Sequence, residues 1–184
     1  MRALPIAVTV LAAALSLTSC GGGSGSTGTS GKSGDASGSA KKASAAACAI
    51  GDTGIQVGPA NAATAAGDTG NVPVTLTNKG ARCTLEGFPG LTVAAGGVSA
   101  AIPADKSAAP EALTLAKGDT ASFTITYVRG AEGDAKTLAA KTLKIALPGA
   151  ATTQSFPWSY GPLAGKGSAS EPNASVTAFQ PAGD

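Results

Sequence analysis

The stretch T-A-S-F-T-I-T-Y-V, from Thr120 to Val128, decides the fold class of this chain. Its apolar residues Ala121, Phe123, Ile125 and Tyr127 alternate with threonine and serine. Side chains alternate across a β-strand with a period of two, whereas a helix repeats every 3.6 residues. The stretch therefore predicts a strand with one buried side and one solvent-facing side.

Several other segments carry the same pattern, separated by turn residues. Gly96-Gly97 predicts a hairpin turn, Lys117-Gly118-Asp119 predicts a second turn, and a strand from Lys141 stops at Pro148-Gly149. The only possible turn of helix is Lys136–Lys141. The predicted strands besides Thr120–Val128 are Asn71–Asn78, Leu91–Ala95, Val98–Ile102, Ala112–Leu115, Lys141–Leu147, Ser155–Tyr160 and Ala174–Gln180. This pattern predicts an all-β fold: an antiparallel, immunoglobulin-like β-sandwich of about seven to nine strands over residues 47–181.

The first residues of the sequence are typical of an export signal. A short basic start precedes an apolar run from Leu4 to Leu17, which is too short to span a bilayer, since a spanning helix needs roughly 20 residues. Leu17-Thr18-Ser19-Cys20 then resembles the lipobox of bacterial lipoproteins. The resemblance implies a signal peptide over residues 1–19, cleavage before Cys20 and a diacylglyceryl group on its thiol, with further acylation giving a stable anchor.

Residues 20–46 combine this cysteine with a tract of glycine, serine, threonine, alanine and a few lysines. Such a tract cannot bury enough apolar surface to offset the entropy of ordering, so we expect a disordered linker. The sequence thus predicts a tethered domain at the outer face of the cytoplasmic membrane.

Cys48 and Cys83 remain once Cys20 is assigned to lipid. In an exported chain an even pair is most simply a disulfide. A metal site and a redox pair are the alternatives, but the chain has no histidine and no C-x-x-C spacing.

The composition narrows the classes of function. With 13 basic and 11 acidic residues there is no charge excess that would indicate a nucleic-acid partner. The absence of histidine removes the commonest general base and the commonest metal ligand. We therefore expect no catalytic residues, no bound metal and no cofactor.

The central segments resemble a known family. Asn78-Lys79-Gly80, then Cys83 to Gly90 (C-T-L-E-G-F-P-G), then Leu115 to Ala121 are similar to an actinobacterial extracytoplasmic domain family of unknown function, over residues 48 to 160. Its members often carry further cysteines and a tryptophan where Tyr127 stands. The resemblance implies a fold and an extracytoplasmic location but no activity.

Two sets of acidic residues could carry chemistry. Asp52-Thr53-Gly54 and Asp68-Thr69-Gly70 repeat the D-T-G signature of pepsin-like proteases, whose two carboxylates must meet and share a proton. Because Gly-Asp-Thr-Gly is also an ordinary turn, a protease is the weaker interpretation. Asp119, Glu132 and Asp134 could form a calcium site, although Arg129 and Lys136 stand close by in the sequence.

The segment Ser155-Phe-Pro-Trp-Ser-Tyr160 is the one candidate for ligand binding. A period of two would place Phe156, Trp158 and Tyr160 on one strand face, and Pro157 would confine that strand to a sheet edge. The row could stack on sugars or a peptide, but the favoured interpretation is that its rings fill a core with few large side chains. Phe88 is likewise predicted to be tucked into a turn at Phe88-Pro89-Gly90.

Together these observations predict a membrane-anchored envelope lipoprotein that acts as a binding or structural module rather than an enzyme. Its partners would be the membrane and either cell-wall glycan or another envelope protein. A cell-wall hydrolase without histidine and a metal-handling lipoprotein are the alternatives.

Overall fold

The computed structural model describes residues 45–182, which form an all-β fold with antiparallel pairing between its strands. A short 3₁₀ turn, Ile50–Asp52, precedes the first strand. The signal peptide, Cys20 and most of the predicted linker lie outside the described residues. The strands of the described part are β1 Thr53–Val57, β2 Thr69–Asn78, β3 Cys83–Leu85, β4 Gly90–Ala95, β5 Val98–Ile102, β6 Leu113–Leu115, β7 Thr120–Val128, β8 Thr137–Leu138, β9 Thr142–Ala146, β10 Thr153–Pro157, β11 Leu163–Ala164, β12 Ala174–Val176 and β13 Gln180–Pro181.

Two sheets form the body of the domain. One has the order β1-β2-β7-β12, with β13 also paired to β7, and the other has the order β10-β9-β4-β5. Buried side chains from both sheets join in one hydrophobic core. In chain order, β1, β2 and β7 take the places of strands A, B and E of an immunoglobulin-like domain. On the other sheet, β4, β5, β9 and β10 take the places of strands C, C′, F and G. The predicted immunoglobulin-like sandwich is therefore confirmed.

The pairing of β2 with β7 is the centre of the core. Val72 lies opposite Ile125, and Val74 lies opposite Phe123. These side chains are at most 2% exposed, as is Tyr127. Each large apolar side chain buried in this way contributes roughly 1.5–3 kcal/mol. The alternation read from Thr120–Val128 thus becomes the inner face of this sheet.

The predicted turns are confirmed. Gly96 and Gly97 join β4 to β5 with φ of 55° and 87°, and both values lie in the left-handed region that suits a tight hairpin. Gly118, at φ 95°, turns the chain from β6 into β7.

Three details differ from the sequence prediction. The strands number thirteen over residues 45–182: the sequence prediction lacks β1, β3, β8 and β11, and its single strand Ala174–Gln180 corresponds to β12 and the start of β13. The possible helical turn Lys136–Lys141 instead contains β8, whose Leu138 is buried, as is Ala140 two residues later. The strand expected over Ser155–Tyr160 is β10, which ends at Pro157; this residue has no N–H for a ladder, and β10 lies at the edge of its sheet as predicted.

The Cys48–Cys83 disulfide is present and both of its cysteines are buried. It joins the entering chain, the segment around Cys48 through which the predicted linker reaches the domain, to β3. There the Cys48 N–H donates to the Thr84 carbonyl at 2.9 Å. Just before it, the Thr84 N–H donates to the carbonyl of Ala46 at 2.8 Å, so the last residues of the predicted linker already contact the domain.

Asn78 explains the N-x-G motif in structural terms. Its side chain is 1% exposed, and its Nδ2 donates to the carbonyls of Ala81, Leu115 and Ala116. Its Oδ1 accepts the Gly80 N–H at 3.0 Å. Asn78 therefore ties the end of β2 to the turn before β7, at the same end of the sandwich as the disulfide.

Among residues 45–182, no helix combines the length and the apolar character needed to cross a membrane.

Candidate functional site

A cleft of ≈ 570 Å³ opens at one end of the sandwich, where the loop after β7, the start of β9 and the segment after β10 meet. Its lining carries two cations, Arg129 and Lys141, and two carboxylates, Glu132 and Asp134, beside the indole of Trp158. A second cavity, of ≈ 590 Å³, has Asp105 and Glu111 but no basic side chain among its lining residues. The first cleft is the better candidate because it joins charges of both signs to an aromatic wall.

The cleft lies at the end of the domain opposite the entering chain. Arg129 directly follows β7, whereas Cys83 pairs with Leu115, just before the start of β7. β7 is 9 residues long, which places its two ends roughly 30 Å apart at about 3.3 Å per residue. The disulfide and the cleft therefore lie at opposite ends of the domain.

Trp158 is a fixed wall of this cleft. It follows β10, is 4% exposed and belongs to the core. Its backbone N–H donates to the Lys141 carbonyl at 2.8 Å, and its Nε1–H donates to the Gly161 carbonyl at 2.7 Å. The ring meets Tyr127 edge-to-face at 5.3 Å and Tyr160 at 5.1 Å between centroids. These contacts leave the indole little freedom to rotate.

The three aromatic residues of this segment do not form an exposed row on one strand face. Phe156, in β10, is half-buried and packs on the core, while Trp158 and Tyr160 lie beyond the end of the strand. An open stacking platform is therefore wrong as a description of this edge, because Trp158 is buried and Phe156 and Tyr160 pack against the core. The core interpretation of Trp158 is confirmed. Phe88 is only half-buried.

The hydroxyl of Tyr127 links the elements beneath the cleft. Tyr127 is fully buried, and its oxygen accepts the Ala63 N–H at 3.2 Å and donates to the Tyr160 carbonyl. Gly70 leaves room for this ring, since a Cβ there would stand 2.5 Å from a Tyr127 ring carbon.

Arg129 is held by the same group of residues. Its Nη1 donates to the Ala63 carbonyl at 3.1 Å, so the Ala63 residue joins Arg129 to Tyr127. The guanidinium also rests on Gly161, where φ is 92° and a Cβ would lie 2.6 Å from Nη1. Only glycine fits both the backbone and the contact. The guanidinium is thus held in place by contacts within the protein.

Asp68 lies near Arg129 on the side of β2. Its carboxylate accepts the Ala65 N–H at 2.8 Å and the Thr64 hydroxyl at 2.9 Å. These hydrogen bonds, first that of Ala65, lower the pKa of Asp68, and the positive charge of Arg129 lowers it further.

The loop between β7 and β8 presents the two carboxylates. Glu132 and Asp134 are exposed. Asp134 Oδ1 accepts the Lys136 N–H at 2.7 Å, and the Asp134 carbonyl accepts the Thr137 N–H at 3.0 Å. These bonds fold the loop into a turn at Asp134, and both carboxylates are among the lining residues of the cleft.

The acidic residues considered for catalysis do not meet. Asp52 precedes β1 and Asp68 precedes β2, and because these strands are antiparallel, the two residues lie at opposite ends of β2. β2 has 10 residues, so the carboxylates are roughly 30 Å apart and cannot share a proton. A pepsin-like dyad is therefore wrong for these two positions.

The three proposed calcium ligands are separated in the same way. Asp119 precedes β7, where it accepts the Ala116 N–H at 2.8 Å, whereas Glu132 and Asp134 follow the far end of that strand. Within the range 45–182, no cluster of three or more cysteine, aspartate or glutamate side chains is placed to hold a metal ion.

Comparison with known families adds the following. The profile of the family described as "Domain of unknown function (DUF4232)" matches residues 48–180, which is more than half of the chain. The chain belongs to this family. The matched range contains the disulfide, both sheets and the cleft. No curated protein and no solved structure matches the chain.

The sequence alone indicated Trp158 and the acidic loop but not the cleft. Arg129, Ala63 and Gly161 are distant in sequence and carry no shared motif. The available signal was a single charged residue directly after a buried strand, and that signal is too common to select Arg129.

Proposed function

We propose that this protein is a lipid-anchored binding module of a bacterial cell envelope that presents its cleft away from the membrane. The observation that carries the proposal is the placement of the cleft opposite the disulfide-bonded entry of the chain. A tether joined at that entry would leave the cleft facing outward, toward the cell wall or another envelope protein.

The anchor in this proposal is Cys20. The apolar run that ends in Leu17-Thr18-Ser19-Cys20 is typical of lipoprotein signals. Two or more acyl chains give stable membrane attachment, whereas one is marginal.

The Cys48–Cys83 disulfide supports an extracytoplasmic location, because disulfides form and persist in oxidising compartments. We favour binding over catalysis because the D-T-G carboxylates stand at opposite ends of β2. The cleft instead combines side chains of both charges with the held guanidinium of Arg129, which suits recognition of a ligand.

Fractionation of cells that express the full chain tests the proposal. Cells are fed an alkyne fatty acid, and the label is read on the protein in membrane and soluble fractions. Wild type and Ser19→Ala, which keeps a small residue before the cysteine, should be labelled and sediment with membranes. Cys20→Ser should lose both properties. Equal labelling or equal membrane association of Cys20→Ser would contradict the proposal.

A further inference from the structure

We infer that the cleft binds a short peptide with free ends, whose carboxylate contacts Arg129 and whose ammonium group faces Glu132 and Asp134. This inference rests on the proposed binding role and names its ligand class. It would make the protein a receptor for small zwitterionic peptides outside the cell.

The first step of the argument is the fixed guanidinium. Arg129 donates one of its several N–H groups to the Ala63 carbonyl, packs closely against Gly161 and lines the cleft. A guanidinium offers carboxylates a planar, two-pronged contact, and positioning it in advance reduces the entropy lost on binding. Arg129 therefore has the chemistry and the rigidity of a carboxylate-binding residue.

The second step is the charge balance of the lining. Arg129 and Lys141 are matched by Glu132 and Asp134, so the formal charges of the cleft sum to zero. A purely anionic ligand, such as a phosphate or a uronic acid, would meet the two carboxylates as well as the two cations. A ligand with separate positive and negative groups meets complementary charge at both.

The third step is size and the nature of the wall. The cleft volume of ≈ 570 Å³ falls within the range of sites for small ligands. Ala139, Ala140, Trp158 and Pro162 supply the apolar part of the lining. Such a surface fits small aliphatic side chains, so alanine peptides of two to four residues are suitable probes.

The test is a titration of the full-length lipoprotein in detergent micelles. Trp158 is the only tryptophan of the chain and lines the cleft, so indole emission reports on this site directly. The probes are tri-alanine, N-acetyl-tri-alanine and tri-alanine amide, and calorimetry provides a second readout. Free tri-alanine should bind saturably, and either cap should weaken binding about tenfold or more, since each removes one charge-assisted contact.

Two sets of variants locate the contacts. Arg129→Gln should weaken tri-alanine binding by about ten- to a hundredfold while leaving the amide unchanged. Because this variant also loses the bond to Ala63, a urea denaturation curve accompanies it. Glu132→Gln with Asp134→Asn changes only exposed side chains; it should weaken tri-alanine but leave N-acetyl-tri-alanine unaffected.

The outcomes separate this inference from the proposed function. Cys20→Ser should bind tri-alanine as wild type does, so a failure of anchoring leaves the ligand assignment standing. Equal affinity for the free and capped peptides would overturn the inference. The absence of saturable binding in both readouts, or unchanged binding in both sets of variants, would overturn it as well, even if the protein is membrane-anchored.

Discussion

Replacing Tyr127 by phenylalanine tests whether one buried hydroxyl organises the cleft end of the domain. The substitution keeps the ring, and therefore its edge-to-face contact with Trp158, but removes the oxygen that accepts the Ala63 N–H and donates to the Tyr160 carbonyl. The buried Ala63 N–H then has no partner, at a cost of about 1–3 kcal/mol. The Tyr160 carbonyl is closer to solvent and adds about 1 kcal/mol. We expect Tyr127→Phe to lower the free energy of unfolding by about 2–4 kcal/mol.

Urea denaturation followed by Trp158 emission measures this loss. The matched control is Tyr160→Phe, which removes a hydroxyl from the neighbouring ring but keeps the ring contact with Trp158 and the carbonyl that serves Tyr127. The control should stay within about 0.5 kcal/mol of wild type. If Tyr127→Phe costs less than about 0.5 kcal/mol, or no more than the control, the hydroxyl does not hold these elements together and the reasoning is refuted.

Three further predictions follow from the described contacts. Replacing both Cys48 and Cys83 by alanine should lower stability by about 4 kcal/mol, the chain-entropy value for the 35-residue separation, as read by thermal or urea denaturation; a loss under about 1 kcal/mol would contradict this role. Asn78→Ala should cost about 2–4 kcal/mol in the same assay, because three carbonyls lose their donor, and an unchanged urea midpoint would contradict it. The pKa of Asp68 is lowered on folding. Its ionised carboxylate therefore stabilises the folded state above the unfolded pKa of about 3.9, and this stabilisation is lost as the pH falls through the folded pKa. The drop in urea midpoint from neutral pH to below that value should be smaller in Asp68→Asn than in wild type, and equal drops would contradict this assignment.

Much of the fold could be predicted because strand patterning is local. Phe123, Ile125 and Tyr127 alternate with polar residues, and that period alone places them on the inner face of β7. Gly96 and Gly97 identify the hairpin since tight turns need left-handed backbone. The two-residue strands β8 and β11 escape this reasoning because they pair with each other across more than 20 residues of chain and carry no repeating pattern of their own.

The candidate site was less predictable because it is assembled from distant segments. Ala63, Arg129 and Gly161 meet only after the sheets have formed, through contacts of backbone carbonyls and a missing Cβ that leave no pattern in sequence. The aromatic segment was recognised and the burial of Trp158 was expected, but the pattern could not show that this ring also lines a cleft with Arg129 and Lys141. Local patterns thus predicted the sheets, and tertiary contacts produced the cleft.

The most direct test of the account is the intact mass of the full-length product extracted from bacterial membranes. The account predicts a chain that begins at Cys20, carries the mass of a diacylglyceryl group with or without a further acyl chain, and lacks the two hydrogens lost in the Cys48–Cys83 disulfide. A chain that retains residues 1–19, or one without lipid and with both thiols reduced, would contradict a lipid-anchored module outside the cytoplasm.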